Sequence, residues 1–250
     1  MINLDLFTND IKIIQKIKRP FNINRIYSEE KNLLRSKKNL LNKFIHVKNK
    51  ENILRKINLK SELAISYGFG VIFNKRIISK YRMGIWNIHT GDLPKYRGRH
   101  PITAAFLNDE KKIGITIHSI DNRIDRGFLL SKTFVKRNYS DDENSIKKKI
   151  LKIIPNLLSK SFKNYQNKSY KKIAVGKYYK PFYSGINLKN SKKYSYIYIF
   201  NAIKAQKIHG GVFVNGEKFS DVKFYRKNFV SNSTSKVIIC KNYKKLIVKK

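Results

Sequence analysis

Asn87-Ile88-His89-Thr90-Gly91-Asp92-Leu93-Pro94-Lys95-Tyr96-Arg97-Gly98, answered downstream by Ile124-Asp125-Arg126-Gly127, is the stretch on which the reading of this chain turns. Asn87 and His89 are two residues apart, so on an extended segment they project to one side. Pro94 and Gly98 mark an exposed loop just beyond. An amide N–H aimed at a carbonyl oxygen stabilises the negative charge of an acyl transfer. An imidazole with an unperturbed pKa near ~6.5 moves protons at neutral pH, and a carboxylate beside the ring orients it. Taken singly, each residue also has an ordinary role: Asn87 as a turn cap, His89 as a partly buried histidine, Asp125 in a type I turn ending at Gly127. The ordered set of three argues for acyl transfer.

Outward from this stretch, apolar runs and helical patterns alternate. Strands are expected at Leu4–Phe7, Ile23–Tyr27, Leu63–Ser66, Ile85–His89, Gly114–Ser119 and Phe128–Phe134. Helices are expected around Asp10–Ile17 and over Lys31–Phe44, where Leu33, Leu34, Leu40 and Leu41 stand among lysines. Others are expected near Glu51–Ile57, over Arg76–Tyr81, after Pro101, and over Asp142–Asn164, with Pro155 kinking or splitting the last. The alternation describes an α/β domain. No G-x-G-x-x-G follows the first strand, so nothing points to a dinucleotide.

With these residues in place, the chain resembles the 10-formyltetrahydrofolate-dependent formyltransferases, a family with a signature of the form N-x-H-x-x-x-L-P-x-x-R-G. Asn87, His89, Leu93, Pro94, Arg97 and Gly98 match it. Gly114-Ile115-Thr116-Ile117-His118-Ser119-Ile120-Asp121 with Ile124-Asp125-Arg126-Gly127 is similar to the family's second block, which ends in a catalytic aspartate before a glycine. Ala64-Ile65-Ser66-Tyr67-Gly68-Phe69-Gly70 is similar to its strand and loop leading into the pterin pocket. The likeness covers about Ser61 to Leu130. It implies a Rossmann-like catalytic domain in which Asn87 and His89 polarise the formyl carbonyl, while Asp125 holds the imidazole and assists proton transfer. It also implies that Gly68, Phe69, Val71 and Asp121 lie near the cofactor; for Phe69 and Val71 plain core packing fits equally. The sequence departs from the family at Thr90-Gly91-Asp92, where many members carry a serine followed by a leucine. Asp92 is expected either to pair with an acceptor ammonium or to be a solvated loop aspartate. Arg97 is expected either to meet an acceptor phosphate or to anchor its own loop to a carboxylate. His100 and His118 show no metal-like arrangement with a third ligand and are assigned no chemistry.

After Lys168 the pattern changes. Tyr178, Tyr179, Phe182 and Tyr183 precede Ile186-Asn187-Leu188, a helix is expected at Ser195–Ala205, and strands at Val212–Val214 and Val222–Tyr225. Asn215-Gly216 is a two-residue hairpin signal, and Lys241–Lys250 alternates as a half-buried final strand does. The expected division is a catalytic domain over residues 1–168 and a small α+β appendage over 169–250. The appendage resembles the start of the C-terminal domain that follows the catalytic domain in sugar and methionyl-tRNA formyltransferases.

The chain has 250 residues, 41% hydrophobic, with 12% aromatics, enough for a sizeable core. No apolar run is long enough to span a bilayer, and the start lacks the order of a signal peptide, so a cytoplasmic enzyme is expected. Cys240 is the single cysteine and has no metal-ligand spacing around it; no metal is expected. The formal net charge of +39 fits two causes that can coexist. One is compositional bias toward Lys, Ile, Asn, Tyr and Phe; the other is attraction of anions. The expected function is formyl transfer from 10-formyltetrahydrofolate to a primary amine, foremost that of a nucleotide-linked amino sugar. Methionyl-tRNA is the sibling acceptor, disfavoured because members acting on tRNA tend to have Ala-Ala-Pro where this chain has Arg99-His100-Pro101. A non-catalytic anion- or RNA-binding protein on this scaffold is the alternative from another class. The oligomeric state is left open.

Overall fold

In chain order the elements are β1 (Ile2–Thr8), β2 (Phe21–Ser28), β3 (Phe44–His46), α1 (Lys50–Lys56), β4 (Leu63–Tyr67), α2 (Lys75–Ile78), β5 (Ile85–His89), α3 (Pro101–Leu107), β6 (Lys112–Ser119), β7 (Phe128–Lys136), α4 (Glu143–Gln166), β8 (Lys171–Lys172), β9 (Asn187–Leu188), α5 (Tyr196–Gln206), β10 (Val212–Val214), β11 (Glu217–Phe219), β12 (Asp221–Phe224), β13 (Ser235–Ile239) and β14 (Lys245–Lys249). This computed structural model describes residues 1–35, 37–57, 60–121, 123–181 and 185–250, so Phe182 and Tyr183 of the expected aromatic cluster lie outside the described residues. The main sheet has the order β3-β2-β1-β4-β5-β6-β7-β8. Its first five strands pair in parallel, and β6 turns antiparallel against β5. The parallel strands read as apolar runs because both faces are covered; β4 is buried at all five positions. This is the expected α/β, Rossmann-like class.

Two expected helices are absent. Only residues 9–20 separate β1 from β2, close to the minimum for a parallel crossover. The segment makes a 3-10 turn over Ile11–Lys16 instead of an α-helix, with the Asp10 side chain accepting from Lys12 N–H. Lys31–Phe44 is likewise not an α-helix among its described residues: a 3-10 turn runs over Lys38–Lys43 and Phe44 already belongs to β3. The leucine pairs are seven apart with lysines at the intervening turn, so only Leu34 is buried while Leu41 stays exposed. By contrast α4 runs through Pro155 as one helix.

The backbone gathers into two compact units. The first comprises Met1–Arg97, Gly114–Phe134 and Lys149–Gly176, the second Gly98–Ile113, Val135–Lys148 and Lys177–Lys250. In the first, Phe7, Tyr27, Val47, Ile53, Phe73, Ile77, Tyr81 and Ile85 form a core in which Phe7 stacks on Tyr27 at 4.6 Å. In the second, α5 is capped by Ser195, and Ile199, Phe200 and Ile203 join Val212, Val214, Phe219, Val222, Leu246 and Val248 in another core. The Asn215-Gly216 signal is a two-residue hairpin with both residues left-handed, joining β10 to β11. β14 is the central strand of the sheet β12-β14-β13.

A buried polar cluster adjoins the first core. Asp5, fully buried on β1, accepts from Ser61 Oγ at 2.6 Å and from Tyr81 Oη at 2.9 Å. Burial pushes its carboxyl above the ordinary carboxylate range, with those two hydrogen bonds and Arg25 opposing. A folded-state pKa above the unfolded value gives stability that is fully present below the unfolded pKa and is lost as pH rises through the folded one. Wild type should therefore lose melting temperature relative to Asp5→Asn as pH rises from the acidic side. A difference between the two proteins that stays flat with pH would contradict this account.

Candidate active site

The antiparallel register of β5 and β6 builds the site. Asn87 lies opposite His118 and His89 opposite Thr116, so all four side chains share one face of the sheet. Thr116 fixes the chain just after His89: its Oγ1 donates to Gly91 O at 2.7 Å and accepts from Leu93 N at 3.2 Å. Two glycines let this loop lie close. A Cβ on Gly114 would stand 2.6 Å from Asp92 Cβ, and one on Gly176 would stand 1.9 Å from Pro94 O. Arg97 closes the loop by donating to Gly176 O at 3.2 Å and to Ile124 O at 2.7 Å. The second bond reaches the residue before Asp125.

Asp125 has a left-handed backbone, φ 50°, as has Gly127, φ 101°. A side chain on Gly127 would meet Ser119 O at 2.1 Å, so the turn can close only on glycine. The result places Asp125 Oδ1 at 3.4 Å from His89 Nδ1 and 3.8 Å from His118 Nε2, with all three side chains at least nine-tenths buried. His89 Nε2 is 2.7 Å from Tyr96 O. A carbonyl only accepts, so Nε2 carries a proton, and Nδ1 is the nitrogen that faces Asp125.

His118 has the opposite polarity. Its Nδ1 faces two carbonyls, Ser119 O at 2.9 Å and Arg126 O at 3.0 Å, and donates to them. Its Nε2 is then a lone pair, accepting from Asn87 Nδ2 at 3.3 Å. Burial, reinforced by the nearby His89 ring, holds His118 below the ordinary histidine range, which keeps that lone pair free of a proton. The Asn87 amide is thereby oriented: its NH2 must face His118, which leaves the second N–H of that group for another acceptor. Sequence reasoning assigned His118 no chemistry. The signal was available in the two i, i+2 polar pairs, Asn87/His89 and Thr116/His118, which an antiparallel pairing brings onto one face.

The other expected site residues fall elsewhere on the first unit. Gly68, left-handed at φ 58°, follows β4 with open space above it, Phe69 stacks on Phe73 at 5.8 Å, and Val71 packs half-buried against the same core. Asp121 accepts from Arg123 N at 2.7 Å and from its guanidinium at 2.9 Å. Asp92 Oδ1 holds Lys132 Nζ at 2.7 Å. Arg97 anchors its loop, but to carbonyls rather than to a carboxylate. Among the described residues no group of His, Cys, Asp and Glu is arranged to hold a metal ion, and no helix is long and apolar enough to cross a membrane.

A buried imidazole between a carboxylate and a carbonyl, beside an oriented amide donor, suits addition of an amine to a carbonyl carbon. Comparison with known proteins points the same way. A family model described as formyl transferase matches residues 13–161, more than half of the chain. A methionyl-tRNA formyltransferase of Caldicellulosiruptor saccharolyticus is 30% identical over 162 residues, which cover 64% of this chain and 51% of that protein, so the chain spans about half of its length. The sugar 3N-formyl transferase WlaRD, solved in the presence of dTDP and 5-N-formyl-THF, superposes with a TM-score of 0.71 at 21% identity, covering 100% of this chain and 97% of that one. The N-formyltransferase from Helicobacter canadensis, solved with folinic acid and dTDP-3-aminofucose, gives 0.69 at 22%, covering 100% and 99%. At these identities the two structures attest to the fold.

Proposed function

The chain belongs to the formyl transferase family, and from that premise we propose that it transfers the formyl group of 10-formyltetrahydrofolate to a primary amine, that of a nucleotide-linked amino sugar. The observation that carries the reading is the single cluster of Asn87, His89 and Asp125, held together by the β5–β6 register and by His118. The donor set fits the group: the second Asn87 amide N–H suits a carbonyl oxygen, and a carboxylate suits an incoming amine. The folate, when bound, supplies the formyl carbon. Asn87 donates to the formyl oxygen as negative charge develops there, and His89 adds a second polar group beside it. Asp125 holds the His89 ring and takes the proton that the amine loses as its C–N bond forms. The proton then returns to the departing nitrogen as the old C–N bond breaks.

In this reading Gly68, Phe69, Val71 and Asp121 line the donor side, and Asp92 and Arg97 lie on the loop toward the acceptor. Residues 1–168 form the catalytic portion and 169–250 the small C-terminal one. The acceptor class is supported by two structures that superpose over the whole chain, one solved with dTDP and one with dTDP-3-aminofucose. Methionyl-tRNA is the second reading, favoured by the 30% identical relative and by the charge of +39.

The test is tetrahydrofolate release from the formyl donor, followed optically, with nucleotide-linked 3-amino and 4-amino sugars run beside methionyl-tRNA. Turnover with an amino sugar is the expected outcome. Turnover with methionyl-tRNA alone would replace the acceptor, and a folded protein that neither binds folate nor turns over would overturn the activity.

A further inference from the structure

At the carboxyl ends of β1, β2 and β4, one carboxylate ties three strands together. Glu29 Oε2, just past β2, accepts from Gly70 N at 2.6 Å and from Asn9 Nδ2 at 2.7 Å. Asn9, just past β1, is fixed in turn because its Oδ1 accepts from Ser28 Oγ at 2.9 Å and from Glu29 N at 3.0 Å. Gly70 belongs to the loop after β4 that carries Gly68 and Phe69. In open α/β sheets this crevice, outside the strand ends, is where ligands bind, and an anion there is commonly met by the N-terminus of the crossover helix. Here the β1–β2 crossover carries no α-helix, and the Gly70 N–H of the neighbouring loop is taken by Glu29.

We propose that Glu29 is a positioning residue for the formyl donor: its carboxylate, steered by Asn9, clamps the Gly70 amide and so holds the Gly68–Gly70 loop in its binding conformation. The proposal rests on the donor-side assignment made above for Gly68 and Phe69. The loop needs such a restraint. Gly68 is left-handed with nothing within 4 Å of where a Cβ would stand, so no side chain of its own limits its backbone. Phe69 is only half-buried. A charge-assisted N–H···O bond at 2.6 Å is the strongest polar contact that the described residues make with this loop. Its loss frees a glycine-flanked segment whose ordering must then accompany binding, which weakens affinity without touching the reacting groups.

The experiment compares wild type, Glu29→Ala, Glu29→Gln and Asn9→Ala by steady-state kinetics with varied 10-formyltetrahydrofolate, together with hydrogen exchange of the Gly70 amide. Glu29→Ala should raise KM for the donor by about ten-fold, leave kcat at saturating donor within about two-fold, and speed Gly70 exchange. Glu29→Gln, whose amide oxygen can still accept from Gly70, should recover most of the KM. An unchanged KM with a protected Gly70 amide overturns the proposal, as does a fall in kcat at unchanged KM. If Glu29→Ala does not fold, Asn9→Ala takes its place, with a rise in KM of about three-fold expected because the carboxylate loses its guide. Wild-type turnover is measured first. Its absence would count against the formyl-transfer reading, whereas Gly70 exchange in the variants tests the clamp without any turnover.

Discussion

Replacing His89 with alanine should lower kcat by about 10²–10⁴-fold, because it removes the ring against which Asp125, the group that moves the proton, is set. The ring spans Tyr96 O and Asp125 Oδ1, and alanine cannot take its place. Truncation also leaves the buried Tyr96 carbonyl without that donor, a cost of about 1–3 kcal/mol in stability. Circular dichroism and a melting curve must therefore accompany the kinetics, and the comparison is valid only where the variant is folded. Asp125→Asn should share most of the loss in kcat while keeping the donor KM, because its contribution is made as the proton moves. Residual activity within about three-fold of wild type in folded His89→Ala would remove His89 from the chemistry. Salt-sensitive RNA binding, if wild type shows it without turnover, would instead favour the non-catalytic alternative.

A second large effect is expected at Asn87, and it should depend on His118. Removing a donor to a developing oxyanion costs about 10²–10³ in kcat, and Asn87→Ala should fall in that range. His118→Ala leaves Asn87 in place but removes the lone pair that tells its NH2 from its carbonyl oxygen. Loss of that discrimination should cost about ten-fold or more, and Asn87→Ala made in the His118→Ala background should cost far less than it does in wild type. Independent, multiplicative losses would show that His118 acts elsewhere. Because burial keeps His118 neutral below the ordinary histidine range, its orienting bond should also persist as pH falls through that range. An acidic limb in the rate that appears only with His118 present would contradict this.

The parts of the site that were legible from residues alone are those that depend on local chain geometry. Asn87 and His89 share a side because strands have a period of two, Pro101 opens α3, and Asn215-Gly216 makes a hairpin because both residues accept a left-handed backbone. His118 was not legible in the same way, since its role arises only when β6 is set against β5 at one particular register. The fate of the first crossover depends on a length limit rather than on any residue's preference, so a helical reading of Asp10–Ile17 becomes a 3-10 turn. Over Lys31–Phe44 the leucine pairs are separated by Lys37 and Lys38, so they make no continuous apolar stripe for a helix to bury. Asp92 and Arg97 show a third kind of gap: a charged residue's partner comes from elsewhere in the chain, here Lys132, Gly176 and Ile124.

The turn to antiparallel pairing at β6 makes catalysis an indicator of strand alignment. Side chains alternate across a sheet, so sliding β6 by a single residue against β5 would carry His118 and Thr116 to the opposite face. Such a slip would also put these two polar side chains where Ile113, Ile115 and Ile117, all wholly buried, now pack, so the core holds the same register as the site. Packing and catalysis together therefore hold the length of the segment joining His89 to Thr116. Natural variation in that segment is expected to come as whole inserted turns beyond Gly98, never as single residues within the paired strands.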